Sequence, residues 1–187
     1  MSVRGAPSVN PRVDISMAKI ECIIPFILKW EGGYVHNKYD KGGATNKGVT
    51  YKTWDDYCKR KGKEASLTTL RHMTKEEWME IFREHSWNVW KADKIASQRV
   101  ANICVDWSWM SGATRVIKKV QKLLGVTADG IVGQKTLSAI NGHSADALFG
   151  QIKELRKKYY NGIVKQDPTQ QVFLKGWLNR LDDLSRL

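Results

Sequence analysis

An all-α fold is what this chain predicts, on three observations. Apolar residues recur at three- and four-residue spacing through most of the sequence. Capping signals precede several of those stretches, and strand-like pieces are confined to one glycine-rich loop. At 187 residues the length suits one compact domain, or one core with an appended subdomain.

Residues 1–16, with two prolines, a glycine and several serines, read as a flexible leader. From Met17 to Trp30 the residues Ile20, Ile23, Ile24, Ile27 and Leu28 keep helical spacing. Pro25 should kink or restart that helix, and Gly32-Gly33 should stop it. Residues 34–49 are rich in Gly, Asn, Lys and Asp, with short extended pieces at Tyr34-Val35 and Gly48-Val49, and predict a loop or small hairpin. Thr50 is placed to cap a helix through Lys59 that presents Tyr51, Trp54 and Tyr57. Thr74 and Glu77 form a capping box before Trp78, Ile81, Phe82 and His85.

A helix over residues 94–110 closes at Ser111-Gly112, and the next carries Val116, Val120, Leu123 and Leu124. The stretch Leu124 to Gly133 is a turn, followed by a short helix through Ile140. Ser144 caps a long helix with Leu148, Ile152, Leu155, Tyr159 and Ile163 on one stripe. Asp167-Pro168 opens the last helix, with Phe173, Trp177, Leu181 and Leu184 inward. Residues 17–110 read as one region and 111–187 as a second helical region packed on it.

Composition narrows the function classes. A hydrophobic share of 42% with 27% charged residues is that of a soluble globular protein, and no apolar run is long enough to span a bilayer. No secretory signal is apparent at the N-terminus. The net charge of +12 suits an anionic partner such as nucleic acid, a membrane surface or an acidic cell wall, or serves solubility alone. The clusters Arg115-Lys118-Lys119-Lys122 and Arg156-Lys157-Lys158 read first as solvated helix faces. Three cysteines and four histidines lack metal-ligand or disulfide spacing, so neither a metal nor a cofactor is expected. Eight tryptophans are many for this length; core packing and sugar stacking both use them.

The chemistry concentrates where a helix meets the glycine loop. Glu31 ends the first apolar stretch, where partial desolvation against Trp30 would raise its carboxyl pKa toward the range of a proton donor near neutral pH. Asp40 follows nine residues later and Thr45 fourteen residues later. Glycosidic cleavage uses an acid on the leaving oxygen and a carboxylate across the ring, and Thr45 could hold a water beside Asp40. Gly42, Gly43 and Gly48 permit positive φ or close backbone packing. Tyr34, Tyr51 and Trp54 are candidate sugar platforms, with core packing an equal reading for Trp54.

The run Glu31-Gly32-Gly33-Tyr34, then Asp40-x-Gly42-Gly43-x-Thr45, then Gly48-Val49-Thr50, resembles the signature of glycoside hydrolase family 108. These are the phage- and prophage-type N-acetylmuramidases once described as secretion activator proteins. The run Leu124-Gly-Val-Thr-Ala-Asp129-Gly130-Ile-Val-Gly133, with Thr136-Leu-x-Ala-Ile140 after it, resembles the peptidoglycan-binding region joined to that catalytic part. Together the two resemblances cover about residues 18–187.

The resemblance implies a lysozyme-like, mainly α-helical fold. It implies Glu31 as catalytic acid, with Asp40 and Thr45 as water-activating base and water holder. Tyr34, Gly43, Asn46, Tyr51, Trp54 and Asp106 become the sugar-binding candidates. The chain departs from many relatives at Met110, where an Asn is common. The implied partner is the peptidoglycan glycan strand, cut at the β-1,4 bond from N-acetylmuramic acid to N-acetylglucosamine. An endolysin or prophage remnant fits that description. Such an enzyme would be made in the bacterial cytoplasm and act in the periplasm or wall after holin-assisted or leader-independent export. A wall-binding or secretion-accessory protein with an idle site is the rival reading. Nucleic-acid binding rests on charge alone, since no reading motif supports it.

Overall fold

The structure is a computed structural model that describes residues 17–36 and 43–187. The leader assigned to residues 1–16 and the loop residue Asp40 lie outside the described residues. A single 3-10 turn (Ile20–Cys22) leads into α1 (Ile24–Trp30), with Pro25 in its first turn. Pro25 therefore restarts the helix there: its missing N–H falls where no helical partner exists.

Three two-residue strands follow as an antiparallel sheet in the order β1 (Tyr34–Val35), β2 (Thr45–Asn46) and β3 (Val49–Thr50). The two-residue connection Lys47-Gly48, with φ of +47° and +78°, has the type I′ pattern that matches strand twist.

Thr50 accepts from the Thr53 amide and opens α2 (Tyr51–Lys61), which Gly62 ends in the left-handed region. A short α3 (Leu67–Arg71) carries a capping box of Ser66 and Thr69 that the sequence reading passed over. Thr74 and Glu77 cap α4 (Lys75–Phe82) as their spacing requires. Its apolar face buries Trp78, Ile81 and Phe82, but His85 falls in a π-helical stretch (Arg83–Trp87) and is exposed.

The scaffold turns on α5 (Gln98–Ser111), in which every residue from Val100 to Ser108 is buried. Helix α6 (Ala113–Leu123) and helix α8 (Ala145–Gln166) pack against it, and α9 (Gln171–Leu184) packs on α8. The short α7 (Gln134–Gly142) follows the turn at Asp129-Gly130. Gln121 holds that turn: its amide donates to Asp129 and Ile131, and its carbonyl accepts from the Gly130 amide.

Five tryptophans, Trp54, Trp78, Trp87, Trp90 and Trp107, are enclosed in the core. Full burial of a large apolar side chain contributes about 1.5–3 kcal/mol, so this set alone is a main source of stability. No helix among the described residues is long and apolar enough to cross a membrane.

Two helix faces depart from the periodicity reading. In α8 the buried stripe runs through Phe149, Ile152, Arg156 and Tyr160, so Arg156 is fully enclosed and not part of a solvated face. In α9 Leu181 and Leu184 are buried as expected, whereas Phe173 is 53% exposed and Arg180 takes an inward place.

Candidate functional site

Glu31 stands immediately after α1 with an extended backbone (φ −83°, ψ 134°), which turns its side chain away from the helix. The carboxyl group is 12% exposed. Its Oε1 accepts from the Trp109 indole N–H at 3.0 Å and from Arg180 Nη1 at 3.0 Å. Among the described residues, Oε2 accepts from none and faces the Lys47-Gly48 turn. A Cβ at position 48 would lie 2.6 Å from Oε2 and 2.7 Å from Trp109 Nε1, so only glycine leaves room for the acid. The turn is anchored by the Trp78 indole, which donates to the Lys47 carbonyl at 2.9 Å. Trp109 is fixed in turn by edge contacts with Trp78 and Phe82.

Behind the acid runs a buried chain of charge. Arg180 gives Nε and Nη2 to Asp106 Oδ1 at 3.0 and 2.7 Å, while Arg156 gives Nη2 to Asp106 Oδ2 at 2.7 Å. Arg156 also donates to the Tyr160 hydroxyl. Burial pushes the Glu31 carboxyl up from its ordinary value, against the pull of Arg180 and with a small push from Asp106. Burial disfavours the charge on Arg180, but Asp106 and Glu31 outweigh it and hold the guanidinium charged. The result is an acid that keeps its proton to higher pH than a surface glutamate, held by a permanent cation at one oxygen.

Helix α9 grips the same segment a second time. Asp183 Oδ2 accepts from the Trp30 indole and from Lys29 Nζ, both at 2.8 Å. The sequence reading placed Trp30 beside the acid as its apolar shelter. Instead that indole turns to Asp183, and Trp109 and Arg180 enclose Glu31.

A hollow of about 380 Å³ opens beside the acid, lined by Gly48, Thr50, Glu84, His85, Ser108 and Trp109. That is within the size range of small-ligand clefts. A second hollow of about 480 Å³ lies beyond the sheet, between Tyr34, His36, Leu67, Thr68, Arg71 and His72. The Arg71 guanidinium covers the Tyr34 ring there at 4.7 Å.

The other sequence candidates divide clearly. Thr45 is half-buried in β2, opposite Val35 and Thr50, and Tyr34 pairs with Asn46. Gly43 has φ +71° and is half-buried. Tyr51 packs against the core and its hydroxyl reaches the Ala65 carbonyl.

Three sugar-binding assignments need correction. Trp54 is 2% exposed and its indole N–H is taken by Thr69, so it is core. The Asn46 amide donates to the carbonyls of Leu70 and Arg71, tying the sheet to α3 instead of facing a sugar. Asp106 is wholly enclosed between two arginines, where no glycan can touch it.

Trp109, Arg180 and Arg156 escaped the sequence reading. A signal existed for the last two: each arginine sits within a helix stripe that is otherwise apolar, Tyr160 and Ile152 flanking one, Trp177 and Leu184 the other.

A mainly helical, lysozyme-like fold with a sheltered carboxylic acid, whose neighbours Gly48 and Trp109 line a hollow, defines the class. Residues 24–112 match the glycosyl hydrolase 108 model, and residues 115–182 match the model described as a predicted peptidoglycan domain. The solved structure of Brucella abortus SagA is similar over 89% of this chain and 91% of its own, with 32% sequence identity and a TM-score of 0.75. No curated protein matches the chain. The chain belongs to the glycosyl hydrolase 108 family, with the predicted peptidoglycan domain on its C-terminal side.

Proposed function

We propose that this protein is a peptidoglycan hydrolase of the muramidase type, cleaving the β-1,4 bond between N-acetylmuramic acid and N-acetylglucosamine. The observation that carries the reading is the Glu31 carboxyl: sheltered, raised in pKa, and with both described hydrogen-bond donors on one oxygen. Arg180 and Trp109 occupy Oε1, so the proton belongs on Oε2, at the Gly48 side beside the cleft. Oε2 delivers it to the bridging oxygen as the bond from that oxygen to the anomeric carbon breaks. A water then adds hydroxide to the anomeric carbon and gives its proton to a base. Asp40 is assigned as that base and Thr45 as the residue that holds the water, on the match of both to the family motif. The net charge of +12 favours approach to an anionic wall. The family assignment and the second, peptidoglycan-described region favour wall material over other glycans.

Glu31→Gln keeps both hydrogen bonds to Oε1 and removes the proton donor. It should lower release of reducing sugar from purified peptidoglycan by about 10²–10⁴-fold. Mass spectrometry of the wild-type digest should find N-acetylmuramic acid at the new reducing ends. A Gln variant that digests at the wild-type rate, or products ending in N-acetylglucosamine, would refute the assignment.

A further inference from the structure

We propose that a basic, aromatic groove between α6 and α8 binds the carboxylate-bearing peptide stems of the wall, apart from the cleft beside Glu31. The proposal rests on the peptidoglycan reading above and adds the place and chemistry of attachment. The groove has a volume of about 650 Å³, and Arg115, Lys119, Lys158, Tyr159 and Ile163 are among its lining residues. A smaller hollow of about 190 Å³ shares Arg115, Tyr159 and Ile163 with it and extends to Trp177.

Two features separate this surface from an ordinary solvated helix face. First, two of its three cations, Arg115 and Lys119, are held by one aromatic ring. Arg115 donates to the Tyr159 hydroxyl at 3.2 Å, and Lys119 Nζ sits 5.1 Å over the same ring. Among the described residues no carboxylate lines the groove, and the acids nearby on α8 and α9 are engaged elsewhere, Glu154 with Lys157 and Asp182 with Lys153. Among the described residues, none of these three cations is in an ion pair.

Second, a row of stacked rings runs from the buried Tyr160 out to solvent. Tyr160 stacks on Trp177 with ring centres 5.2 Å apart, and Trp177 stacks on Phe173 at 6.0 Å. Phe173 is 53% exposed and Val172 is 76% exposed, so the ladder ends in open solvent. Rings fixed in a row beside unpaired cations fit a ligand that alternates apolar faces with negative charge. A peptide stem attached to a glycan has that character: methyl-bearing side chains and free carboxylates. All these residues fall within the region described as a predicted peptidoglycan domain, residues 115–182.

The test uses the full chain carrying Glu31→Gln, so that the wall is not digested, and measures co-sedimentation with purified peptidoglycan sacculi across a salt series. Lys119→Glu with Lys158→Glu should weaken sedimentation at low salt by about tenfold and flatten the salt dependence. Lys119→Arg with Lys158→Arg should retain binding. Sacculi whose carboxylates have been capped with glycinamide should release the parent protein to the same degree as the charge reversal.

Unchanged sedimentation of the charge-reversed protein, or full retention by capped sacculi, would overturn the groove while leaving the hydrolase reading intact. Equal, groove-dependent binding to phosphatidylglycerol vesicles or to DNA would also overturn it, because the surface would then be a general polyanion face. Conversely, wild-type protein that sediments through the groove but releases no reducing sugar would sink the hydrolase reading alone.

Discussion

The two regions of the chain treat their aromatic and charged side chains in opposite ways. In residues 24–112 the tryptophans Trp54, Trp78, Trp87, Trp90 and Trp107 are enclosed, and surface lysines of α2 are matched with acids: Lys52 with Asp56, Lys59 with Asp55, Lys61 with Glu80. In residues 115–182 a ring ladder from Tyr159 to Phe173 reaches the surface beside unpaired cations, while two arginines are buried. Enclosed rings contribute stability and nothing to recognition; rings at the surface beside free charge can meet a ligand. The comparison also shows that the regions are not separate machines. The first supplies the acid, and the second supplies Arg180, which holds it.

Removing that shared contact should have the largest effect. Arg180→Leu leaves Asp106 with one cation in place of two, and should cost about 3–5 kcal/mol in denaturant unfolding. Arg180→Lys keeps the charge but cannot fork between Glu31 and Asp106. It should fold and lose much of kcat, with KM little changed. A lysine variant with wild-type kcat would break the link between the regions.

Gly48→Ala comes next, since it touches the first region alone. The added methyl group meets Oε2 and the Trp109 indole, and φ of +78° is unfavourable for alanine. A loss of about 2 kcal/mol in stability and about 100-fold in kcat is expected.

Trp54→Phe tests the assignment of rings to core. It should lower stability by about 1–2 kcal/mol and leave KM for peptidoglycan unchanged. A selective rise in KM would return Trp54 to the list of sugar platforms.

The smallest effect concerns the acid itself. Glu31 has a raised folded pKa, so its neutral form favours the folded state and ionisation works against it. Glu31→Gln should therefore be more stable than wild type at pH 7. The gap should close below the ordinary carboxyl value of 4.5, where both side chains are neutral, and open as pH rises through the raised value. Thermal unfolding measured at pH 4 and pH 7 reads this directly; a gap of equal size at both would contradict the shelter around Glu31.

Local signals carried far in this chain. Thr50 and the Thr74-Glu77 box cap their helices, and Pro25 restarts one, because each acts on backbone groups within a turn of itself, whereas Ser144 makes no side-chain cap bond. Glu31 stood out for the same kind of reason, lying where a helix gives way to two glycines. The family motif, read along the sequence, agrees with the match found over residues 24–112.

Long-range pairing was not legible. Arg180 is 149 residues from the acid it contacts, and Asp106 looked like a surface ligand until two arginines were seen to enclose it. Periodicity reports which residues share a helix face, but not which way that face is turned. A rotation of α8 by part of a turn buries Arg156 and leaves Tyr159 lining a groove. The sequence by itself therefore determined most of the helices, several of their caps and the identity of the candidate acid, since these depend on neighbours along the chain. Only the tertiary structure decided which charges are buried, what holds the acid and which rings meet solvent, because desolvation depends on what packs across space.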